Sequence, residues 1–125
     1  MPDRIAYKIM TPTELKEMRR DGLFRGTPAD IVDGYIHLSC GSQLAATWDK
    51  HFSGVGGLVL AAVDLPRLGD AVRWELSRGG QLFPHLYGVL TMDAVASVGP
   101  LERTPDGAVK LPAQPGYGSY HGCPA

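Results

Sequence analysis

The alternation of apolar and polar residues predicts short strands with two helices between them. Residues 5–9 alternate as a first strand does. Thr11 and Glu14 then form a capping box with Pro12 at the first helical position, so a helix is expected to begin there. Gly22 stands where a left-handed turn would end that helix.

The middle of the chain reads as a loop, a strand and a second helix. Residues 23–34 contain glycines and a proline without a sustained period, which indicates a loop that covers another part of the molecule. Residues 35–39 read as a strand. A helix should follow, because Leu44, Trp48 and Phe52 form one apolar stripe that would pack into the core.

The second half predicts further short strands. Residues 58–63 and 71–77 are strand-like, and residues 83–87 form another. Pro84 lies within the last of these and indicates a sheet edge or a bulge, because proline cannot donate to a strand ladder. Later strands are expected at residues 94–98 and 109–111.

These elements place the chain in the α+β class, with no internal repeat and no second domain. Residues 1–111 are expected to form a single domain. Residues 112–125 are rich in proline and glycine and are expected to follow the surface or to fray.

Composition narrows the classes of partner. The 125 residues are 44% hydrophobic and 20% charged, which are ordinary values for a globular protein, and the formal net charge is −1. A nucleic-acid or anionic-lipid surface would leave a basic stripe, so neither partner is expected. A small-molecule ligand fits this charge better.

The chain shows features expected of a cytoplasmic protein. Its start lacks the apolar core of a signal peptide, and the longest apolar stretch, residues 58–63, is too short to cross a bilayer. Two cysteines, Cys40 and Cys123, are too few for a disulfide framework. We expect both to be free thiols.

Three predicted strands each carry a polar face. Side chains alternate across a strand, so every second residue shares a side. The polar sets are Tyr35, His37 and Ser39; Arg73, Glu75 and Ser77; and His85 and Tyr87. A sheet with one face lining a cleft would show this pattern, and we expect His37, Glu75 and His85 to open onto the same cleft.

Plainer interpretations exist for the same residues. A histidine beside a leucine, such as His37, is often structural. Glu75 is equally well explained by a surface ion pair with Arg73 or Arg78, which would be worth little. Tyr87 needs no function as a buried aromatic, and we assign Trp74 to the core.

Several standard signatures are not met. The glycines at residues 54–57 precede a strand, whereas a dinucleotide fingerprint follows one, and no GKS or GKT triplet supports a P-loop. Ser39 lies two residues from His37 without a GxSxG elbow, which argues against a serine nucleophile. Zinc ligand types occur without finger spacing, so no metal site is predicted; they are His37, Cys40, His121 and Cys123.

Four segments carry a family resemblance. They are DGYIHLS at residues 33–39, residues 43–52 with Thr47 and His51, RWELSRGG at residues 73–80 and LFPHLYG at residues 82–88. In this order they resemble the bacterial DUF952 family, from the first strand to about residue 101. Tyr35 stands where phenylalanine is usual in that family, and Cys40 where threonine is usual.

The resemblance implies a fold similar to that of ADP-ribosyltransferases and RNA 2′-phosphotransferases. That fold binds NAD between two small antiparallel sheets without a Rossmann glycine loop. It therefore implies NAD, or a related ADP-ribosyl compound, as the ligand or substrate. Cleavage or transfer at the glycosidic bond is the candidate reaction, although the biochemical function of the family is not established.

On this hypothesis three side chains are catalytic. Glu75 near the ribose 2′-hydroxyl would favour the positively charged transition state, and His37 would anchor a ribose hydroxyl. His85 would carry a proton or contact a phosphate. The ligand-binding residues would be Ser39, which positions the ribose, Tyr35 and Tyr87, either of which stacks on nicotinamide, and Arg73.

Two other classes of function stay open from sequence. One is a non-catalytic module that binds a nucleotide or another metabolite, and the other is a hydrolase acting on an unrelated metabolite. RNA phosphotransfer is less favoured, because a phosphate on RNA calls for clustered arginine and lysine. The sequence leaves the ligand, the acceptor and the oligomeric state open.

Overall fold

Eight short strands and three short α-helices make up residues 4–112, the part of the chain that the computed structural model describes. In chain order they are β1 (Ile5–Met10), α1 (Pro12–Asp21), β2 (Leu23–Phe24), α2 (Pro28–Asp33), β3 (Ile36–His37), α3 (Leu44–His51), β4 (Val59–Asp64), β5 (Val72–Leu76), β6 (Leu82–Leu86), β7 (Leu90–Thr91) and β8 (Val95–Pro100). The expected α+β class with small antiparallel sheets is confirmed.

Two three-stranded antiparallel sheets dominate, with strand orders β1-β4-β8 and β3-β6-β5, and β2 pairs with β7. The larger sheets meet where the chain beyond β3 runs against β1. There the Tyr7 amide donates to the Ser39 carbonyl at 2.7 Å, and the Ser39 amide donates to the Tyr7 carbonyl at 2.9 Å. The strand that carries His37 is therefore fixed to the edge of the other sheet.

The sheet of β1, β4 and β8 has a core on each face. All six residues of β1 are buried, and its alternate side chains enter two separate apolar clusters. One cluster includes Leu15 and Met18 of α1, whose capping box and left-handed Gly22 are formed as predicted. The other includes Leu44 of α3, with Trp48 and Phe52 packed against it.

The prediction of a loop at residues 23–34 is wrong, because the segment contains β2 and α2. Thr27 and Asp30 form a second capping box with Pro28 at the first position, which repeats the arrangement that begins α1. The helix has six residues, too few to show a period, and its apolar Ile31 and Val32 are exposed. Hydrophobic periodicity therefore gave no sign of it.

Pro84 lies at neither a sheet edge nor a bulge, since β6 is the central strand of its sheet. At the two ends of the β5–β6 ladder, the Ser77 amide donates to the Gln81 carbonyl and the Tyr87 amide donates to the Ala71 carbonyl. Because backbone groups alternate in direction along an antiparallel strand, those of Pro84 point away from β5 and toward β3. The Pro84 carbonyl accepts from Leu38, directly after β3 ends. Pro84, which has no N–H to donate, therefore lies where the β3–β6 ladder ends.

Three other expectations need correction or lie outside the described residues. Residues 109–111 form no strand, and Val109 makes only an isolated bridge with Arg103. Cys40 is disulfide-bonded, so the expectation of free thiols is wrong for it. Cys123 and the tail predicted at residues 112–125 lie, apart from Pro112, outside the described residues.

Candidate ligand cleft

A cleft of about 630 Å³ opens where β1, α2, the strand through His37 and α3 meet. His37, Ser39 and His85 line it, three of the residues that the sequence singled out. The other four, Tyr35, Arg73, Glu75 and Tyr87, are not among the lining residues. The sequence-predicted set is thus divided between the cleft wall and the sheet surface beside it.

The register of the sheet explains why these residues are neighbours. His37 lies opposite His85 in the β3–β6 pair, and Arg73 lies opposite His85 in the β5–β6 pair. Residues opposite each other in a ladder share a face. The three polar strand faces expected from sequence are therefore one continuous face of this sheet.

Two carboxylates of α2 hold the imidazole of His37. Its Nδ1 lies 2.5 Å from Oδ1 of Asp30, and its Nε2 lies 2.9 Å from Oδ2 of Asp33. The His37 amide also donates to Asp30 at 3.1 Å. The side chain of His37 is 36% exposed and that of Asp33 48%, whereas Asp30 is 2% exposed. Asp30 therefore anchors the ring from the inside, and Asp33 meets it at the surface.

Asp30 owes its place to a buried cation. Nζ of Lys8 lies 3.0 Å from Oδ2 of Asp30 and donates to the His37 carbonyl at 3.0 Å. Burial raises the pKa of Asp30, but the hydrogen bond from His37 and the charge of Lys8 outweigh it and hold the pKa well below its ordinary value. Burial in turn lowers the pKa of Lys8. Lys8 and Asp30 thus form a buried ion pair, through which His37 is held by both β1 and α2.

A third carboxylate, that of Glu75, holds His85. Oε1 of Glu75 lies 2.7 Å from Nδ1 of His85 and accepts from the Tyr87 hydroxyl at 2.8 Å. These two hydrogen bonds hold the pKa of Glu75 below its ordinary value. The side chain of His85 is 3% exposed and that of Glu75 38%, so a buried imidazole is held by a carboxylate at the surface. Glu75 thus acts on the cleft through His85 and does not line it.

Aromatic rings connect the two histidines. The Tyr35 ring stacks on His85 at a centroid distance of 4.0 Å and lies 4.7 Å from the centroid of His37. Tyr87 flanks Tyr35 at 5.2 Å, and Cζ of Arg73 lies 4.6 Å from the Tyr87 centroid. Tyr35, Tyr87 and Arg73 therefore extend from the histidines along the same face of the sheet, outside the cleft lining.

Three residues of this site were missed from sequence: Lys8, Asp30 and Asp33. Lys8 interrupts the apolar strand Ile5–Met10, and a lysine on the buried face of a strand indicates a buried partner. Asp30 stands three residues after Thr27, as Glu14 stands after Thr11. Both signals were available in the pattern, but neither indicates that Asp30 also binds His37.

The remaining lining residues are mostly hydroxyl-bearing or apolar. Oγ of Ser39 lies 3.3 Å from Oγ1 of Thr47, and other lining residues are Tyr7, Thr11, Glu14, Phe52, Ser77 and Phe83. Within residues 4–112 no group of three or more histidine, cysteine, aspartate or glutamate side chains is arranged to hold a metal ion. The disulfide also removes Cys40 as a thiolate ligand.

Residues 9–98 match the model of a family described as protein of unknown function, DUF952. The crystal structure of protein CC0527 from Caulobacter crescentus is similar at 41% identity and a TM-score of 0.77, covering 86% of this chain and 94% of that one. The solution NMR structure of CC0527 is similar at 40% identity and a TM-score of 0.72, covering 85% of this chain and 91% of that one. None of the curated proteins matches this chain.

Proposed function

The chain belongs to the DUF952 family, and from the geometry of its cleft we propose that the protein binds a small ribose-containing molecule there, with His37 as the principal contact. One observation carries the proposal: an imidazole on the cleft wall is held by a buried carboxylate, which a buried lysine holds in turn. A ring fixed in this way loses little freedom when it binds a ligand.

The cleft's lining favours a hydroxyl-rich ligand. Its volume of about 630 Å³ falls within the usual range for small-molecule sites. The hydroxyl-bearing residues Thr11, Thr27, Ser39 and Ser77 line it beside aromatic and aliphatic side chains, with the hydroxyls of Thr11 and Thr27 also capping helices. Such a lining suits a ribose attached to a flat ring.

The finer form of the proposal is that the ligand is NAD or another ADP-ribosyl compound, cleaved or transferred at its glycosidic bond. Lys50 and His51 line the cleft and supply basic groups for a phosphate. Breaking the glycosidic bond builds positive charge on the ribose. Asp33 can stabilise that charge, because it lines the cleft with an exposed carboxylate, whereas Glu75 does not line it.

The test is calorimetric titration of the protein with ADP-ribose, NAD, AMP and nicotinamide. Wild type should bind at least one of the ribose-containing compounds, and His37→Ala should weaken that binding at least tenfold. Asp70→Ala, an exposed position outside the cleft, is the control and should bind as wild type does. Absence of binding to all three ribose compounds contradicts the proposal.

A non-catalytic binding module is the second candidate function. It is favoured by the double hold on His37, whose two ring nitrogens both face carboxylates of the protein itself. A chromatographic assay for nicotinamide and adenine separates the two. A pure binding module releases neither base above background from NAD or AMP.

A cytoplasmic location belongs to the same proposal. No helix within residues 4–112 has the length and apolar character needed to cross a membrane. The disulfide at Cys40 bears on the compartment, because disulfides persist mainly where the surroundings are oxidising. Alkylation of cell extracts followed by mass spectrometry tests this: an alkylated Cys40 thiol supports a cytoplasmic location, and a Cys40 that stays disulfide-bonded in the cell argues against it.

A further inference from the structure

We infer that His37 and His85 act as an acid–base pair, so that the cleft hydrolyses ribosyl compounds whose leaving group must be protonated, such as a purine base. The inference rests on the proposed function and narrows it. It starts from two imidazoles that line one cleft, each held at Nδ1 by a carboxylate from a different element.

His85 is arranged to accept a proton. Oε1 of Glu75 receives hydrogen bonds from both the Tyr87 hydroxyl and Nδ1 of His85, so Nδ1 carries the hydrogen. A neutral imidazole that donates at Nδ1 keeps a lone pair on Nε2. His85 lines the cleft with one face of its ring covered by Tyr35, and Nε2 is the ring nitrogen that Glu75 leaves available.

His37 is arranged to donate a proton. Its Nδ1 and its Nε2 both lie within hydrogen-bond distance of carboxylate oxygens, which accept and do not donate. Both contacts are complete only when both ring nitrogens carry hydrogen. A ligand that displaces the exposed Asp33 from Nε2 meets a proton there, while the buried Asp30 keeps hold of Nδ1.

The two rings lie side by side on one wall of the cleft. His37 and His85 lie opposite each other across the β3–β6 pair, with ring centroids 5.8 Å apart and planes at 69°, an edge-to-face contact. Because both residues line the cleft, both imidazoles can contact a single ligand bound there.

The hydrolysis balances without another reactant. Nε2 of His85 takes a proton from water as the water oxygen bonds to C1′ of the ribose. The C1′–N bond breaks, its electron pair stays on the purine, and the proton on Nε2 of His37 goes to a purine nitrogen. Positive charge on the ribose faces Asp33 meanwhile. Exchange with solvent then removes the proton from Nε2 of His85 and replaces the one lost from Nε2 of His37.

The choice of leaving group follows from the acid. Nicotinamide in NAD is already cationic and leaves as a neutral molecule, so a proton donor adds nothing to its departure. A purine would leave as an anion unless it is protonated. A site with a general acid therefore accelerates cleavage most when the substrate is a purine nucleotide such as AMP.

The test compares two probes that differ in their need for acid: AMP, and 4-nitrophenyl riboside, whose leaving group is a weak base. The variants are His37→Asn and His85→Asn, because an asparagine amide can still donate where Nδ1 did while Nε2 is lost. Asp70→Asn is the control, and thermal unfolding checks each fold.

His37→Asn should lower kcat/KM for AMP on the order of a hundredfold and for the nitrophenyl riboside by clearly less. His85→Asn should lower both by similar factors, since both need activated water. Equal losses on the two probes in His37→Asn contradict the inference. So does a wild type that binds ADP-ribose but releases no adenine from AMP, or releases only nicotinamide from NAD, whatever the variants do. Absence of all ribosyl binding defeats the proposed function as well.

Discussion

His37 and His85 lie directly opposite each other in the β3–β6 pair, with ring centroids 5.8 Å apart. Each ring is held by a carboxylate from a different element, Asp30 of α2 for His37 and Glu75 of β5 for His85. Neither histidine is thus oriented by its own strand alone. The site depends on how α2 and β5 pack against the central strand.

Glu75 should influence rate more than binding, because it acts through His85. Glu75→Gln keeps the size of the side chain and removes its charge, so Nδ1 of His85 loses its charged hydrogen-bond acceptor. We expect kcat for AMP to fall on the order of a hundredfold with KM nearly unchanged. Glu17→Gln, exposed on α1, is the matched control. A raised KM with an unchanged kcat would place Glu75 in ligand binding.

Asp30→Asn should destabilise the fold, because it leaves the buried charge of Lys8 without its partner. Loss of one member of a buried ion pair costs about 3 to 5 kcal/mol. Urea unfolding at about pH 7 measures this change. Asp70→Asn, in an exposed turn, should change the free energy of unfolding by less than about 0.5 kcal/mol.

The pH dependence of stability should identify Asp30 as well. The folded-state pKa of Asp30 lies below its ordinary value, so its contribution is present above the unfolded pKa of about 4 and is lost as the pH falls through the folded value. Wild type should lose stability on acidification below about pH 5, and Asp30→Asn should lose less. Parallel curves for the two proteins would show that Asp30 is not held as described.

Gly26 tests the position of Asp30 from the backbone side. Its φ is +116°, and a Cβ added there would lie 2.8 Å from the Cβ of Asp30. Gly22 has a φ of +79° with nothing within 4 Å of such an atom. Gly26→Ala should therefore destabilise by more than Gly22→Ala, for which backbone strain of about 1 to 2 kcal/mol is expected. Equal losses in thermal unfolding would contradict the close approach.

Tyr35 should contribute through its ring. Tyr35→Leu removes the stack on His85 and should cost about 0.5 to 1.5 kcal/mol beyond the change in buried area. Tyr35→Phe keeps the ring that stacks on His85 and should stay close to wild type. Urea unfolding of both variants measures the difference, and similar losses would show that the hydroxyl matters more than the stack.

Strand alternation was enough to find the polar face of the site. His37, His85 and Glu75 share that face because period-two alternation survives whatever the sheet order is. Sequence did not indicate that β6 would be central, since Pro84 argued for an edge. The proline is accommodated only because β3 is two residues long, and strand length is set by tertiary packing.

The carboxylates that hold His37 were harder to predict. Asp30 and Asp33 lie on a helix too short for hydrophobic periodicity to reveal. Lys8, which anchors Asp30, is 22 residues away from it in sequence, and no local pattern links the two. A buried ion pair between distant elements becomes visible only once the chain is folded.

The most direct test of the account is calorimetric titration of ADP-ribose into wild type, His37→Ala and Asp70→Ala. The account predicts saturable binding to wild type and to Asp70→Ala, and at least a tenfold loss of affinity in His37→Ala with its folded state intact by thermal unfolding. Wild-type binding that His37→Ala leaves unchanged would contradict the role of His37 and place the ligand elsewhere on the protein.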